Sequence, residues 1–192
     1  MSFIVCFLII IQAFANNAFD KAKTEYESIL EKEYMILPHK GNYFIPFSYS
    51  FLPNNDVYDV IRTTKDLRER GQYNKNIETE FQVSFSLLVS RDIFSSDFHL
   101  FLGYTQRSWW QLYNTDWSNQ FRETNYSPEV FARKILETPD DFLGGKLLAY
   151  DFGFIHQSNG RTQELSRSWN RLFFRFSLLY GRTLLKLSLI HI

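Results

Sequence analysis

His156, Ser158 and Asn170 bring an imidazole, a hydroxyl and an amide into one stretch of fifteen residues. Such a set can carry out acyl transfer. The imidazole takes the hydroxyl proton, the oxygen attacks a carbonyl, and the amide holds the ring in one tautomer. Gly160, two positions past Ser158, has no Cβ and can bring its backbone N–H against a developing oxyanion. Taken singly, each residue has a structural explanation: a lone strand histidine is usually structural, and Ser-Asn-Gly is a common turn sequence.

The surrounding pattern decides between these readings. Tyr150, Phe152, Phe154, His156 and Ser158 share one parity, and Ala149, Asp151, Gly153, Ile155 and Gln157 share the other. Downstream, Asn170, Leu172, Phe174, Phe176 and Leu178 alternate with a set containing Arg171 and Arg175. Alternate side chains of a strand point to opposite faces. The three reactive residues therefore fall on the face rich in Phe and Leu. If His156 faces Asn170, then Ser158 faces Ser168 and residues 159–167 form the hairpin loop. Facing Cβ atoms lie about 4.5–5.5 Å apart. His156 and Ser158 are separated by about 6.6 Å of strand rise, which a leaning imidazole can cover. An amide costs less to desolvate than a carboxylate, which suits Asn170 to an apolar surface. Reactive polar groups on an apolar outer face are costly unless they are used, so the pattern predicts an enzyme that attacks lipid from within a membrane.

The elements that would carry this site are strands. Gly41 to Leu52 is aromatic, with Pro46 predicting a bulge. From Glu80 to Arg91, Glu80, Gln82, Ser84 and Ser86 oppose Phe81, Val83, Phe85 and Leu87. Asp97–Leu112, Asn125–Ile135, Gly145–Gln157 and Ser168–Tyr180 complete about six strands, most of them longer than the usual 5–6 residues. Residues 53–76 are polar and read as a long exposed loop. A soluble sandwich would bury the apolar face, whereas a transmembrane barrel turns it to lipid. Charged groups on the polar faces, and Trp109, Trp110, Tyr113 and Trp117 clustered near a strand end, favour the barrel.

Composition agrees. The 192 residues suffice for one domain, and 21 basic against 21 acidic residues leave no basic stripe for a nucleic acid. Hydrophobic residues make up 45% and aromatic residues 18%, yet mean hydropathy is negative, so apolar side chains are interleaved with polar ones. The lack of a run of about 18 apolar residues argues against a membrane-spanning helix. Phe3 to Ile11 is apolar and Ala13-Phe14-Ala15 forms a small-x-small pattern. Residues 1–15 thus read as a secretory signal peptide, although no Lys or Arg precedes the apolar run; a buried N-terminal strand is the other reading. Cys6, the only cysteine, lies inside it, so the mature chain would hold no disulfide. Residues 16–40 read as an N-terminal periplasmic arm, with Tyr26, Ile29, Leu30 and Tyr34 at helical spacing or in a solvated tail. Residues 41–180 are then the barrel portion, and 181–192 an atypical apolar tail.

The segments Tyr150-Asp-Phe-Gly-Phe-Ile-His156-Gln-Ser158-Asn-Gly160-Arg161 and Ser166-Arg-Ser-Trp-Asn170-Arg171 resemble the signature of bacterial outer-membrane phospholipase A. Tyr104-Thr-Gln-Arg-Ser-Trp109-Trp110-Gln111 and Phe121-Arg-Glu-Thr-Asn-Tyr126 extend the resemblance over roughly residues 40–180. It implies a twelve-stranded antiparallel barrel in the outer membrane that hydrolyses the acyl esters of phospholipids and lysophospholipids at both positions. It implies Ser158 as nucleophile, His156 as base and Asn170 as orienter, with the Gly160 N–H at the oxyanion. It further implies calcium as cofactor and a homodimer as the active state. The ligands implied are the carbonyls of Arg161 and Ser166 from one subunit and the Ser118 hydroxyl from the other. About six strands are half of that barrel, so the sheet is expected to stay open, with the chain cut short or diverted near Gly181. Two further readings remain. One is an inactive truncated or non-catalytic membrane β-protein. The other is a different lipid-modifying barrel, such as a lipid A deacylase or acyltransferase, which Ser166-Arg-Ser-Trp-Asn-Arg171 speaks against.

Overall fold

The computed structural model describes residues 4–8, 24, 28, 31–32, 36–53, 74–117, 119–161, 166–180 and 183–191. Among them nine strands form one antiparallel sheet: β1 Ile4–Leu8, β2 Ile36–Pro38, β3 Tyr43–Tyr49, β4 Ile77–Ser90, β5 His99–Trp110, β6 Phe121–Phe142, β7 Gly145–Ser158, β8 Ser168–Tyr180 and β9 Thr183–His191. Strands β4 to β9 neighbour each other in chain order. Strands β2 and β3 both pair with the free side of β4, and β1 pairs with β9. No pairing joins the two ends among the described residues, so the sheet is not closed. Strands of 12 to 22 residues from β4 to β8 exceed the roughly 9–11 that a tilted membrane-spanning strand needs.

Alternation sorts the side chains into two faces. On the inner face one lateral row runs Leu88, Phe101, Phe131, Gly153, Phe173, Ile190, one residue from each strand from β4 to β9. Leu88, Phe101, Phe131 and Phe173 form the buried core, with Leu37 and Ile155 packed against it. The Phe101 and Phe131 rings stack at 5.3 Å. Phe173 reaches Phe131 across Gly153, where a Cβ would lie 2.5 Å from the Phe131 Cβ and 2.7 Å from the Phe173 Cζ. Glycine is therefore required by space at this crossing. The outer face exposes Val83, Phe85, Leu102, Val130, Phe152, Phe154, Leu172, Phe174 and Leu189. That many large apolar groups on one face, with buried polar and charged groups such as Ser84, Thr105, Glu129 and Asp151 around the core on the other, is the inside-out pattern of a lipid-facing barrel wall.

The inner face is held by ion pairs. Asp151, 1% exposed, lies between Arg133 and Arg175 in register. It accepts from Arg133 Nε at 2.7 Å, Arg133 Nη2 at 2.9 Å and Arg175 Nη1 at 3.1 Å. Glu129 meets His39 Nε2 at 3.1 Å, Arg175 Nη2 at 3.3 Å and the Lys40 ammonium. His39 also stacks on Phe131 at 5.2 Å, so the segment ahead of β3 is pinned against the inner wall.

Two expectations change. Residues 181–192 were expected as an atypical tail, but Thr183–His191 is a strand in register with β8. Leu185, Leu187 and Leu189 pair with outer residues of β8, whereas Lys186 and Ser188 pair with Ser177 and Arg175 of its inner set. Together with the short β1 and β2, this raises the count from about six to nine. The described part of the expected signal peptide, Ile4–Leu8, lies along β9 as β1. Pro46 does sit in a register shift between Ile45 and Ser48. The expected arm and the long polar loop lie mostly outside the described residues.

Candidate functional site

Strands β7 and β8 pair His156 with Asn170 and Ser158 with Ser168. This is the register expected from parity alone. His156 Nδ1–H donates to Asn170 Oδ1 at 2.7 Å. A carbonyl oxygen can only accept, so the proton of the neutral ring is on Nδ1 and Nε2 keeps its lone pair. No hydrogen bond joins His156 to Ser158 among the described residues; Ser158 Oγ instead accepts from the Gly160 N–H at 3.1 Å. All three side chains share the outer face with Phe154 and Leu172, which are 38% and 49% exposed.

The loop after Ser158 is built by Asn159, which is 4% exposed. Its Oδ1 accepts from Arg161 N at 3.3 Å and Arg167 N at 3.0 Å, and its own N–H donates to Arg167 O at 3.1 Å. One amide thus ties the two ends of the hairpin loop together. Gly160 follows with φ +65°, and a Cβ there would lie 3.1 Å from the Tyr126 ring. Both facts ask for glycine beside the nucleophile candidate. Arg161 reaches the Arg122 carbonyl through Nη2 and lies 3.6 Å from Glu123 through Nε. Ser166 stands at the far end of the loop, next to Arg167. The structure brings Arg161 and the Ser166 end of one loop together through Asn159; Ser118, the third expected ligand, lies outside the described residues.

Asn159 and Tyr126 escaped the reading of chemistry in the sequence. Asn159 carries a turn-forming identity that reads as a generic loop residue. Tyr126 pairs with Ser158 across β6 and β7, and only the register reveals that it borders the site. A polar file continues sideways on the outer face. The Tyr104 hydroxyl donates to Gln106 Oε1 at 3.3 Å, Gln106 Nε2 donates to Ser108 Oγ at 3.3 Å, and Ser108 meets Thr124 at 3.2 Å.

Comparisons with known proteins identify the family and the fold. A family model described as phospholipase A1 matches residues 20–190. The phospholipase A1 of Proteus vulgaris is 38% identical over 149 residues, which cover 73% of this chain and 50% of that protein. A calcium-bound dimer of the Salmonella typhi outer membrane phospholipase superposes with TM-score 0.71 at 33% identity, covering 86% of this chain and 61% of that one. An active-site mutant of the Escherichia coli outer membrane phospholipase A, with alanine replacing an asparagine, gives 0.70 at 32% identity, covering 84% and 59%. The chain spans about half the length of curated relatives it matches. With a family model covering nearly the whole sequence and solved relatives sharing the sheet, the chain belongs to the phospholipase A1 family.

Proposed function

We propose that the protein hydrolyses acyl ester bonds of membrane phospholipids and lysophospholipids, at both acyl positions, from the outer face of an outer-membrane β-barrel. The observation that carries this reading is the 2.7 Å bond from His156 to Asn170 on the same lipid-side face as Ser158. Ser158 is the nucleophile. His156 Nε2 takes its proton as the oxygen adds to the ester carbonyl, then returns the proton to the leaving alcohol. Water deacylates the serine ester by the same route, with His156 again as base. Asn170 keeps the ring in the tautomer this requires. The Gly160 N–H, already 3.1 Å from Ser158 Oγ, is placed to donate to the oxyanion that forms on the adjoining carbon. The asparagine replaced in the Escherichia coli active-site mutant supports the role given to Asn170.

The donor set at the loop fits calcium. Backbone carbonyls of Arg161 and Ser166 and the hydroxyl of Ser118 are hard oxygen donors. Asn159 draws the two loop ends together through its side-chain oxygen. When bound, calcium supplies Lewis-acid stabilisation of negative charge near the Gly160 N–H. Drawing Ser118 from a second copy makes the homodimer the active state, and the calcium-bound Salmonella typhi dimer supports this.

Fatty-acid release from phospholipid micelles, with and without calcium, tests the assignment. Calcium-dependent release is expected, falling by about 1000-fold or more in Ser158→Ala. Equal activity of the two forms overturns the nucleophile assignment. A second reading, a non-catalytic membrane β-protein, is favoured by the open sheet and by the missing His156–Ser158 bond. Absence of release in the presence of calcium would select it.

A further inference from the structure

The turn between β4 and β5 folds back over the outer face and walls off an apolar notch. Ile93, Phe98, Ala132, Tyr150, Phe152 and Phe174 line it, and it encloses about 360 Å³. Ala132, Phe152 and Phe174 are successive register partners across β6, β7 and β8 and form its floor. Tyr150 pairs with Lys134, and its ring meets Phe98 edge-on at 5.6 Å. The backbone of the turn is costly, since Asp92, Phe94, Ser95 and Asp97 all hold a left-handed φ between 45° and 59°. Two bonds keep it so: the Ile93 N–H donates to Phe98 O at 2.7 Å, and the Asp97 N–H to Asp92 Oδ1 at 2.9 Å. The rim carries one charge of each sign. Lys134 Nζ donates to Asp97 Oδ2 at 3.1 Å and to Ser96 O at 3.3 Å, and the Asp97 side chain is 79% exposed. Phe152 lies six positions before Ser158 on β7, about 20 Å away by strand rise.

We infer that this notch seats one chain of a membrane phospholipid whose headgroup carries a phosphate and a primary ammonium, set against Lys134 and Asp97. The notch opens on the face that meets lipid, so its occupant comes from the bilayer. This rests on the lipid-facing reading of the outer wall and stands whether or not Ser158 is a nucleophile. Moving a chain from lipid to an apolar wall gains nothing by the hydrophobic effect, so close packing must hold it. A concavity fixed by the turn supplies that packing: a chain lying between Phe98 and Phe152 touches rings on several sides, and an unfilled notch forfeits those contacts. At the rim, Lys134 has a third N–H beyond its bonds to Asp97 and Ser96, and a phosphate oxygen can accept it. The Asp97 carboxylate keeps acceptor capacity for an ammonium N–H. An anionic head brings uncompensated negative charge beside Asp97, and a quaternary ammonium head has no N–H to give it.

Photo-crosslinking in vesicles tests this. The full chain is folded into phosphatidylcholine vesicles doped with a phosphatidylethanolamine that carries a diazirine near the headgroup end of one chain. Ether linkages keep the probe from ester hydrolysis, and mass spectrometry maps the adducts. Labelling of Phe98, Tyr150 and Phe152 should exceed that of Leu102 and Leu189, both exposed on the same wall, by about fivefold. The same chain on a phosphatidylglycerol head should label the notch about threefold less, the scale of one exposed ion pair. Ala132→Phe fills the notch and should bring its labelling down to that of the wall. Lys134→Met leaves the floor intact, should abolish the preference for the ethanolamine head, and decides the matter if Ala132→Phe does not fold. Adducts spread evenly along the wall, undiminished notch labelling in the folded Ala132→Phe form, or equal labelling by the two heads overturns the inference. Absence of adducts anywhere on the outer face overturns the lipid-facing reading with it.

Discussion

His156 and Asn170 are direct cross-strand partners, and the bond between them is made on the face that carries Phe154, Leu172 and Phe174. An imidazole held by a neutral amide among apolar neighbours has its tautomer set without a buried charge. Asn170→Ala removes the only described partner of Nδ1 and frees the ring to rotate. Activity on phospholipid micelles should fall by about 100-fold or more, mostly in kcat, because the substrate surface is unaltered. Asn170→Asp keeps an acceptor and should recover part of the loss. A change confined to KM would show that Asn170 contacts substrate rather than positioning the base.

Gly160 combines a left-handed φ of +65° with close approach to the Tyr126 ring. In Gly160→Ala, the backbone conformation alone costs about 1–2 kcal/mol, and the methyl must also displace the ring. The loop should shift, moving the N–H off the 3.1 Å contact with Ser158. We expect lower activity and a destabilisation of that size in denaturant titration. Adding Tyr126→Ala should recover stability but not the backbone strain, so recovery remains partial.

The parity of residues 150–158 and 170–178 was enough to place the three reactive side chains on one face, because a strand's period of two leaves no freedom once the pairing is antiparallel. Pro46 announced the β3 irregularity because it cannot donate to a ladder. β9 was harder to recognise. Leu184, Leu185, Leu187, Leu189 and Ile190 dominate it, and only Lys186 and Ser188 break the run, so two inward polar residues were the whole alternation signal. The inner ion pairs were illegible for another reason. His39 and Glu129 are 90 residues apart, and nothing local in either segment selects the other. Their contact depends on how far the sheet curls, which is set by the packing of Phe131 and Phe173 over Gly153.

Asp151 is the most fully enclosed test of that inner network, at 1% exposure with three donors on it. Asp151→Asn keeps the volume but leaves Arg133 and Arg175 facing each other without their shared carboxylate. The expected cost is about 3–5 kcal/mol, seen as a lower denaturant midpoint. The double variant Asp151→Asn with Arg133→Met should be less destabilised than the single one, since it removes one of the two guanidiniums left facing each other. If the single variant is as stable as the unmodified chain, the bonds drawn to Asp151 are not formed in solution.

Phe154 and Gln157 separate the two faces of β7 directly. Phe154 points outward and is 38% exposed, while Gln157 lines the inner cavity and accepts from Ser127 Oγ at 3.1 Å. A lipid-facing wall penalises a charge on the first residue and tolerates one on the second. In folding into lipid vesicles, Phe154→Lys should cost about 2–4 kcal/mol, the penalty for a cation near the middle of a barrel's lipid face. Gln157→Glu keeps an acceptor for Ser127 and faces the Arg171 and Arg175 of the cavity wall, so it should cost about 1 kcal/mol or less. In detergent-free buffer a soluble sandwich would give a different outcome. There Phe154 would be core, and replacing it by any polar residue, charged or not, would unfold the chain. Phe154→Ser therefore discriminates: mild in vesicles if the face meets lipid, severe in either medium if it is buried.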